Sequence, residues 1–251
     1  MKQADFVFGL QPVLEALKSS QTVDRILLQR DIAHRPQFEE VWALAQERDV
    51  PLQKVPLERL HRSTRKNHQG IIAFLSVVDY AKLEMILPTL YEEGKIPLIL
   101  VLDRITDVRN FGAICRTAEA AGVQAVVIPQ RGAAQINSDA MKTSSGALTH
   151  LPVCKVNDLQ TALLYLQNSG LSILAATEKA SQNLYQLPLQ SPLAVLVGSE
   201  EDGIAPDLLK MANLQAHLPM LGQVGSLNVS VATGVVLYEV VRQRLEISSG
   251  H

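Results

Sequence analysis

The sequence predicts an α/β protein of two domains, a small one in front of a larger one built on a parallel sheet. Three observations predict it. Up to about Val78, short strand-like runs alternate with short helical ones. From Ile96 onward the strand-like runs become almost wholly apolar, as in strands buried on both faces. Three strand ends there lead into polar, glycine-containing stretches, and parallel α/β sheets bind ligands beyond the carboxyl ends of their strands.

The small domain is expected over 1–78. Val7–Gly9 reads as the end of a first strand. Gln11–Leu17 reads as a helix with Pro12 in its first turn, where a missing N–H costs nothing. Arg25–Gln29 is a strand, and Pro36–Arg48 an amphipathic helix with Phe38, Val41, Trp42 and Leu44 on one side. Val50–Val55 is a strand, Leu57–His61 a short helix, and Gly70–Val77 a strand. Residues 79–95 are charged and mixed, with a short helical pattern around Ala81–Tyr91, and are expected to form a linker.

The larger domain is expected over 96–247. Its strands are Ile96–Leu102, Ala125–Pro129, Ser172–Ala175 and Leu193–Val197, with a further one ending at Leu218 and Pro219. Helices are expected at Phe111–Ala121, Leu159–Gln167 and Pro206–Ala212, and a last one from near Leu227, capped by Ser226. That last helix is apolar around much of its girth through Val229, Val231, Val235, Val236, Val240 and Val241, so it must be buried.

Composition narrows the function classes. The 251 residues are 47% hydrophobic and 19% charged, as in a globular protein. A formal net charge of −2 excludes a chain-wide bias toward nucleic acid or membrane and leaves room for local basic patches. Cys115 and Cys154 have no metal-type spacing and the six histidines are scattered, so no metal site is expected. Met1–Leu10 has no signal pattern and no apolar run spans a bilayer, so a cytoplasmic protein without a membrane partner is expected.

Three strand ends carry the candidate chemistry. After the first comes Asp103–Thr117, where Asp107 or Asn110 caps the next helix and Arg116 stands among apolar residues. An arginine there pairs with an acid or binds an anion, and Glu200 is its expected partner. After the second comes Gly198–Ile204, an acidic loop that matches neither phosphate-binding glycine pattern. Glu201 and Asp202 read as an exposed turn. After the third come Gly222, Gly225 and the polar cluster Ser226, Asn228, Ser230 and Thr233, at a helix start suited to a polar ligand. In the small domain Arg59, His61, Arg62, Arg65, Lys66 and His68 crowd one loop region, as a solvated charged face or as a surface for nucleic-acid phosphates. No stacking aromatic lies in the cluster to indicate a single-strand platform.

The order of the three motifs resembles the SpoU/TrmH family of S-adenosylmethionine-dependent RNA ribose methyltransferases, in the SPOUT class. Asn110, Gly112 and Arg116–Ala118 look like its first motif, Gly198, Glu200 and Gly203 its second, and Pro219 with Ser226–Ala232 its third. Val108 stands where the family commonly has proline. Phe8–Leu17 and His68–Ile71 look like the small, ribosomal-protein-like RNA-binding domain of the branch that methylates a guanosine in 23S rRNA.

The resemblance implies a SPOUT parallel-sheet domain with a C-terminal trefoil knot, an exception to the rule that chains do not knot. It also implies a homodimer acting on 23S rRNA. It implies that Gly198, Leu218, Met220, Gly222 and Leu227 hold S-adenosyl-L-methionine. Arg116 takes the catalytic position, with Asn110 positioning the ribose, Glu200 orienting Arg116, and Ser226 and Asn228 completing the pocket. Arg62, Arg65 and Lys66 are the expected RNA contacts. A tRNA substrate, or an inactive RNA-binding protein of the same fold, are the alternatives.

Overall fold

The computed structural model describes residues 6–223 and 225–248, so the first five residues of the expected small domain lie outside it. The chain divides into two compact units. One comprises residues up to Asp79 with Gln135–Ser138, and the other Tyr80–Ala134 with the chain from Asp139 onward.

The first unit runs β1 (Phe6–Phe8), α1 (Leu10–Lys18), β2 (Val23–Gln29), α2 (Glu39–Glu47), β3 (Leu52–Val55), α3 (Leu57–His61) and β4 (Ile71–Leu75). Its sheet has the order β1-β4-β2-β3, antiparallel except for the β2–β3 pair. Alternation along β2 fills two cores. Ile26 and Leu28 face Val13, Leu17, Phe38 and Val41, while Leu27 faces Leu60, Ile72 and Phe74. The expected helix from Pro36 begins instead as a tight turn of 3-10 helix, Pro36–Phe38, before α2. A turn of 3-10 helix is a common start for an α-helix, and Pro36 at its first position forgoes no hydrogen bond.

The loop before β4 is tied down by His68. This side chain is 6% exposed, and its Nδ1 accepts a 3.0 Å hydrogen bond from the Gly70 N–H. Gly70 has a φ of +81°, and a side chain there would meet Ile32 Cδ1 at 2.2 Å. Only glycine suits both constraints.

The second unit runs β5 (Tyr80–Ala81), α4 (Leu83–Glu92), β6 (Leu98–Leu102), α5 (Val108–Ala120), β7 (Ala125–Pro129), α6 (Ser138–Thr143), β8 (Val153–Val156) and α7 (Leu159–Asn168). It continues through β9 (Ser172–Ala176), β10 (Gln182–Asn183), β11 (Leu193–Val197), α8 (Pro206–Met211), β12 (Leu214–His217) and α9 (Val229–Ser248). Eight strands pair in the order β10-β12-β9-β11-β6-β7-β8-β5, every pair parallel. All five residues of β6 and of β11 are buried, which explains their unbroken apolar sequences.

The expected linker is not a free connection. β5 pairs with β8, and Leu83, Leu87 and Leu90 of α4 enter the core of the larger unit. Leucines at this spacing share one helix face, and burying them ties the segment to the sheet, although charged residues such as Glu84, Glu92 and Glu93 make it read as a linker.

His68 gives the first unit a testable pH dependence. Burial, and then the neighbouring His61, hold it below the ordinary histidine value of 6.5. The folded chain therefore favours neutral His68, and the unfolded chain takes up the proton first. This contribution to stability is complete above about pH 6.5 and is lost as pH falls through the lower, folded-state value. Urea denaturation from pH 8 to pH 5 should show the wild type losing stability relative to His68→Asn, which keeps an acceptor but does not titrate. Parallel profiles for the two proteins would refute the role given to His68.

Candidate functional site

The second and third motifs meet at the carboxyl ends of β11 and β12, beside that of β9. A cavity of about 640 Å³ opens there, lined by the strand ends Ala176, Val197 and Ala216 and the loops that follow them. It has the size expected of a small-molecule site. Gly198, Leu218, Met220, Ser226, Leu227 and Asn228 line it, whereas Gly222 is exposed and outside its lining. The structure adds Thr177, Glu178 and Lys179, which follow β9. That strand is legible in the sequence, but its polar end carries no motif.

Asn228 joins the motifs. Its Nδ2 donates to Asn110 Oδ1 at 3.0 Å and to Glu200 Oε1 at 2.5 Å. The same Glu200 oxygen accepts from the Val229 N–H at 3.0 Å, satisfying a donor that a helix start leaves unpaired. Asn228 Oδ1 in turn accepts from the backbone N–H and hydroxyl of Ser230. So α9 starts at Val229 and its cap is Asn228; the expected cap, Ser226, lies upstream and exposed. On α5 the cap is Asp107, which accepts from the Asn110 N–H at 2.8 Å. That leaves the Asn110 side chain to reach Asn228.

The expected pairing of Glu200 with Arg116 is absent. α5 is amphipathic, burying Phe111, Ile114, Cys115 and Ala118, and Arg116 lies on its exposed side. No described residue forms an ion pair with it. Arg109, also exposed, stands seven residues earlier and hence on the same helix face. Sequence reading passed over Arg109, although its spacing from Arg116 was visible. Gly112 has a packing role, because a Cβ there would meet Thr143 Cβ at 2.7 Å and the Ala140 carbonyl at 3.1 Å.

The acidic loop is held from behind. Asp103, 4% exposed at the end of β6, accepts from the Ala205 N–H at 2.7 Å and from Arg104 through both carboxylate oxygens. Arg104 also donates to Asp202 and to the Gly203 carbonyl, each at 3.0 Å. The hydrogen bond to Asp103, foremost, raises the Arg104 pKa. Asp202 therefore belongs to a network and is not merely an exposed turn residue. A Cβ on Gly198 would lie 2.2–2.3 Å from backbone atoms of Gly203 and Ile204. A side chain there would displace this loop itself, so Gly198 shapes the cavity by being small.

In the first unit, Arg62, Arg65 and Lys66 are exposed at the end of α3 and in the loop beyond it. None forms an ion pair with a described residue.

The family model described as the SpoU rRNA Methylase family matches residues 97–238. The chain belongs to that family. A second model, RNA 2′-O ribose methyltransferase substrate binding, matches residues 6–81. A Pseudomonas aeruginosa relative, the 23S rRNA (guanosine-2′-O-)-methyltransferase RlmB, is 35% identical over 97% of this chain and 98% of its own. A Bacillus subtilis relative, the putative TrmH family tRNA/rRNA methyltransferase YacO, is 32% identical over 97% of each chain. Among solved structures, an AdoMet-bound rRNA methyltransferase from Sinorhizobium meliloti shares the fold. Its TM-score is 0.60 at 24% identity, over 94% of this chain and 86% of that one. The parallel-sheet unit is thus a SPOUT methyltransferase fold with a substrate-binding domain in front.

Glu200 is the residue to test in the site. In Glu200→Ala the Val229 N–H and the Asn228 amide lose a charged acceptor, a change worth about 1.5–3 kcal/mol. Hydrogen exchange at the Val229 amide should accelerate at least about 10-fold, while Glu200→Gln, which keeps an acceptor, should change it less. Equal exchange in wild type and Glu200→Ala would remove Glu200 from the start of α9.

Proposed function

We propose that this SpoU/TrmH-family RNA 2′-O-methyltransferase methylates the ribose of a guanosine in 23S rRNA, taking the methyl group from S-adenosylmethionine bound in the cavity. The observation that carries the substrate reading is the 35% identity with the Pseudomonas enzyme over nearly the full length of both chains. With ribosomal RNA as substrate, the reaction belongs to the cytoplasm.

The cavity fits the methyl donor. Glu178, Glu200, Glu201 and Asp202 line it, with Lys179 as the one cation of the lining among the described residues. That balance favours a ligand bearing a sulfonium and an ammonium, and opposes polyphosphates. Leu218, Met220 and Leu227 offer apolar contact, and the cradle beside Gly198 admits close backbone approach. S-adenosylmethionine supplies an electrophilic methyl group. The chain must bring a ribose 2′-oxygen to it and make that oxygen nucleophilic.

Asn110, held through Asn228 and Glu200, stands at the start of α5 to orient the ribose. Arg116 lies six residues further along α5, about 9 Å along the axis. An arginine stays charged, so it does not serve as a base. Its exposed, unpaired guanidinium acts on the RNA phosphate and the reacting oxygen electrostatically. Arg109, on the same face, extends the contact to the RNA backbone.

The protein acts as a homodimer through α9. Val231, Tyr238 and Leu245, each seven residues apart, are 51%, 51% and 60% exposed, while Val236, Leu237 and Val240 are buried. An outward stripe with a seven-residue repeat is the pattern by which helices pack against partner helices.

Single-turnover transfer from labelled S-adenosylmethionine should modify 23S rRNA and not tRNA; the reverse would overturn the substrate reading. Arg116→Ala should slow transfer on the order of 100-fold or more, with cofactor affinity and thermal melting unchanged because the side chain is exposed. Arg116→Lys should recover little, since an ammonium lacks the planar fork. Near-normal turnover in Arg116→Ala would make the residue dispensable.

Light scattering at micromolar concentration should give a dimer for the wild type and a monomer for Tyr238→Glu. A wild-type monomer would sink the dimer assignment.

A further inference from the structure

The basic loop of the first unit borders a recess. This cavity of about 540 Å³ is lined by Gln29, Ile32, Arg35, Gln37, the segment from Arg65 to Gly70, and His61. Three features of its lining go together. Arg35, Arg65 and Lys66 are exposed cations without an ion-pair partner among the described residues. Gln29 and Gln37 bring amides, each with both donors and an acceptor. The exposed His61 ring rests against buried His68, with centroids 5.3 Å apart, and Ile32 adds an apolar wall. Gly70 keeps the floor open, because a side chain there would meet Ile32 Cδ1 at 2.2 Å and Gln29 Oε1 at 3.2 Å.

A surface for phosphates alone needs cations and not paired amides. Amides beside cations and a flat ring suit a base edge, a phosphate and a base face together. A recess also admits a base only where that base is unpaired.

We propose that this recess is a pocket for one unpaired nucleotide of the RNA substrate. Arg35, Arg65 and Lys66 take its phosphate, Gln29 and Gln37 read the edge of its base, and His61 with Ile32 covers the face. The pocket rests on the reading of this loop as an RNA surface and makes it specific: the first unit selects RNA by a single extruded base.

The test uses the full chain and two RNAs of equal phosphate count, a hairpin with an unpaired loop and a fully paired duplex, with affinity followed across salt concentrations. His61→Ala and Gln37→Leu alter exposed side chains. Each should weaken hairpin binding about 10-fold, in line with loss of one stacked base, without changing duplex affinity or the salt slope. Arg65→Gln should weaken both RNAs and lower the salt slope by about 1. If Arg65→Gln behaves so while Gln37→Leu and His61→Ala affect neither RNA, or both equally, the pocket is overturned and the RNA surface stands. An unchanged salt slope in Arg65→Gln overturns both.

Discussion

The amide of Asn228 holds together three segments that are far apart in sequence. It bonds to Asn110 at the start of α5 and to Glu200 beyond β11, and its own oxygen caps α9. A helix start leaves N–H groups without partners and carries partial positive charge. The Glu200 carboxylate answers both demands at once. The mouth of the cavity therefore owes its shape to the chemistry of a helix terminus, and the residues expected to touch substrate are the ones that satisfy that terminus.

Glu200 is useful only if its loop is rigid, and the rigidity comes from behind. Arg104 has a φ of +56°, a conformation that costs a non-glycine residue about 1–3 kcal/mol. Charge-assisted hydrogen bonds to Asp103 and Asp202 offset that cost. The far end of α9 is fastened as well. Gln243 bonds to the backbone of Leu187 and Leu189, and Arg244 donates to the carbonyls of Ile96, Pro97 and Ser191. With both ends held, the outward stripe of Val231, Tyr238 and Leu245 is presented on a fixed helix.

Each unit also has its own electrostatic character. Carboxylates dominate the lining of the cavity beyond β9, β11 and β12, whereas the loop after α3 gathers cations that have no ion-pair partner among the described residues. One suits a cationic methyl donor and the other a polyanion. The net charge of −2 conceals both, because opposite local charges cancel in a sum.

The sequence by itself determined the parallel sheet, through the apolar runs of β6, β7 and β11, and the family, through three motifs at strand ends. Burial on both faces leaves no polar positions to obscure such strands. It also named Asn110, Glu200 and Asn228, but not what they do to one another. Only the tertiary structure decided that Glu200 serves Asn228 and Val229 instead of Arg116, that Asn228 rather than Ser226 caps α9, and that residues 80–95 belong to the larger unit. Those outcomes depend on which loop ends meet in space and on which side of α5 faces water. Local propensity and periodicity carry the length and face of an element, but not the identity of its neighbour across a hundred residues of chain.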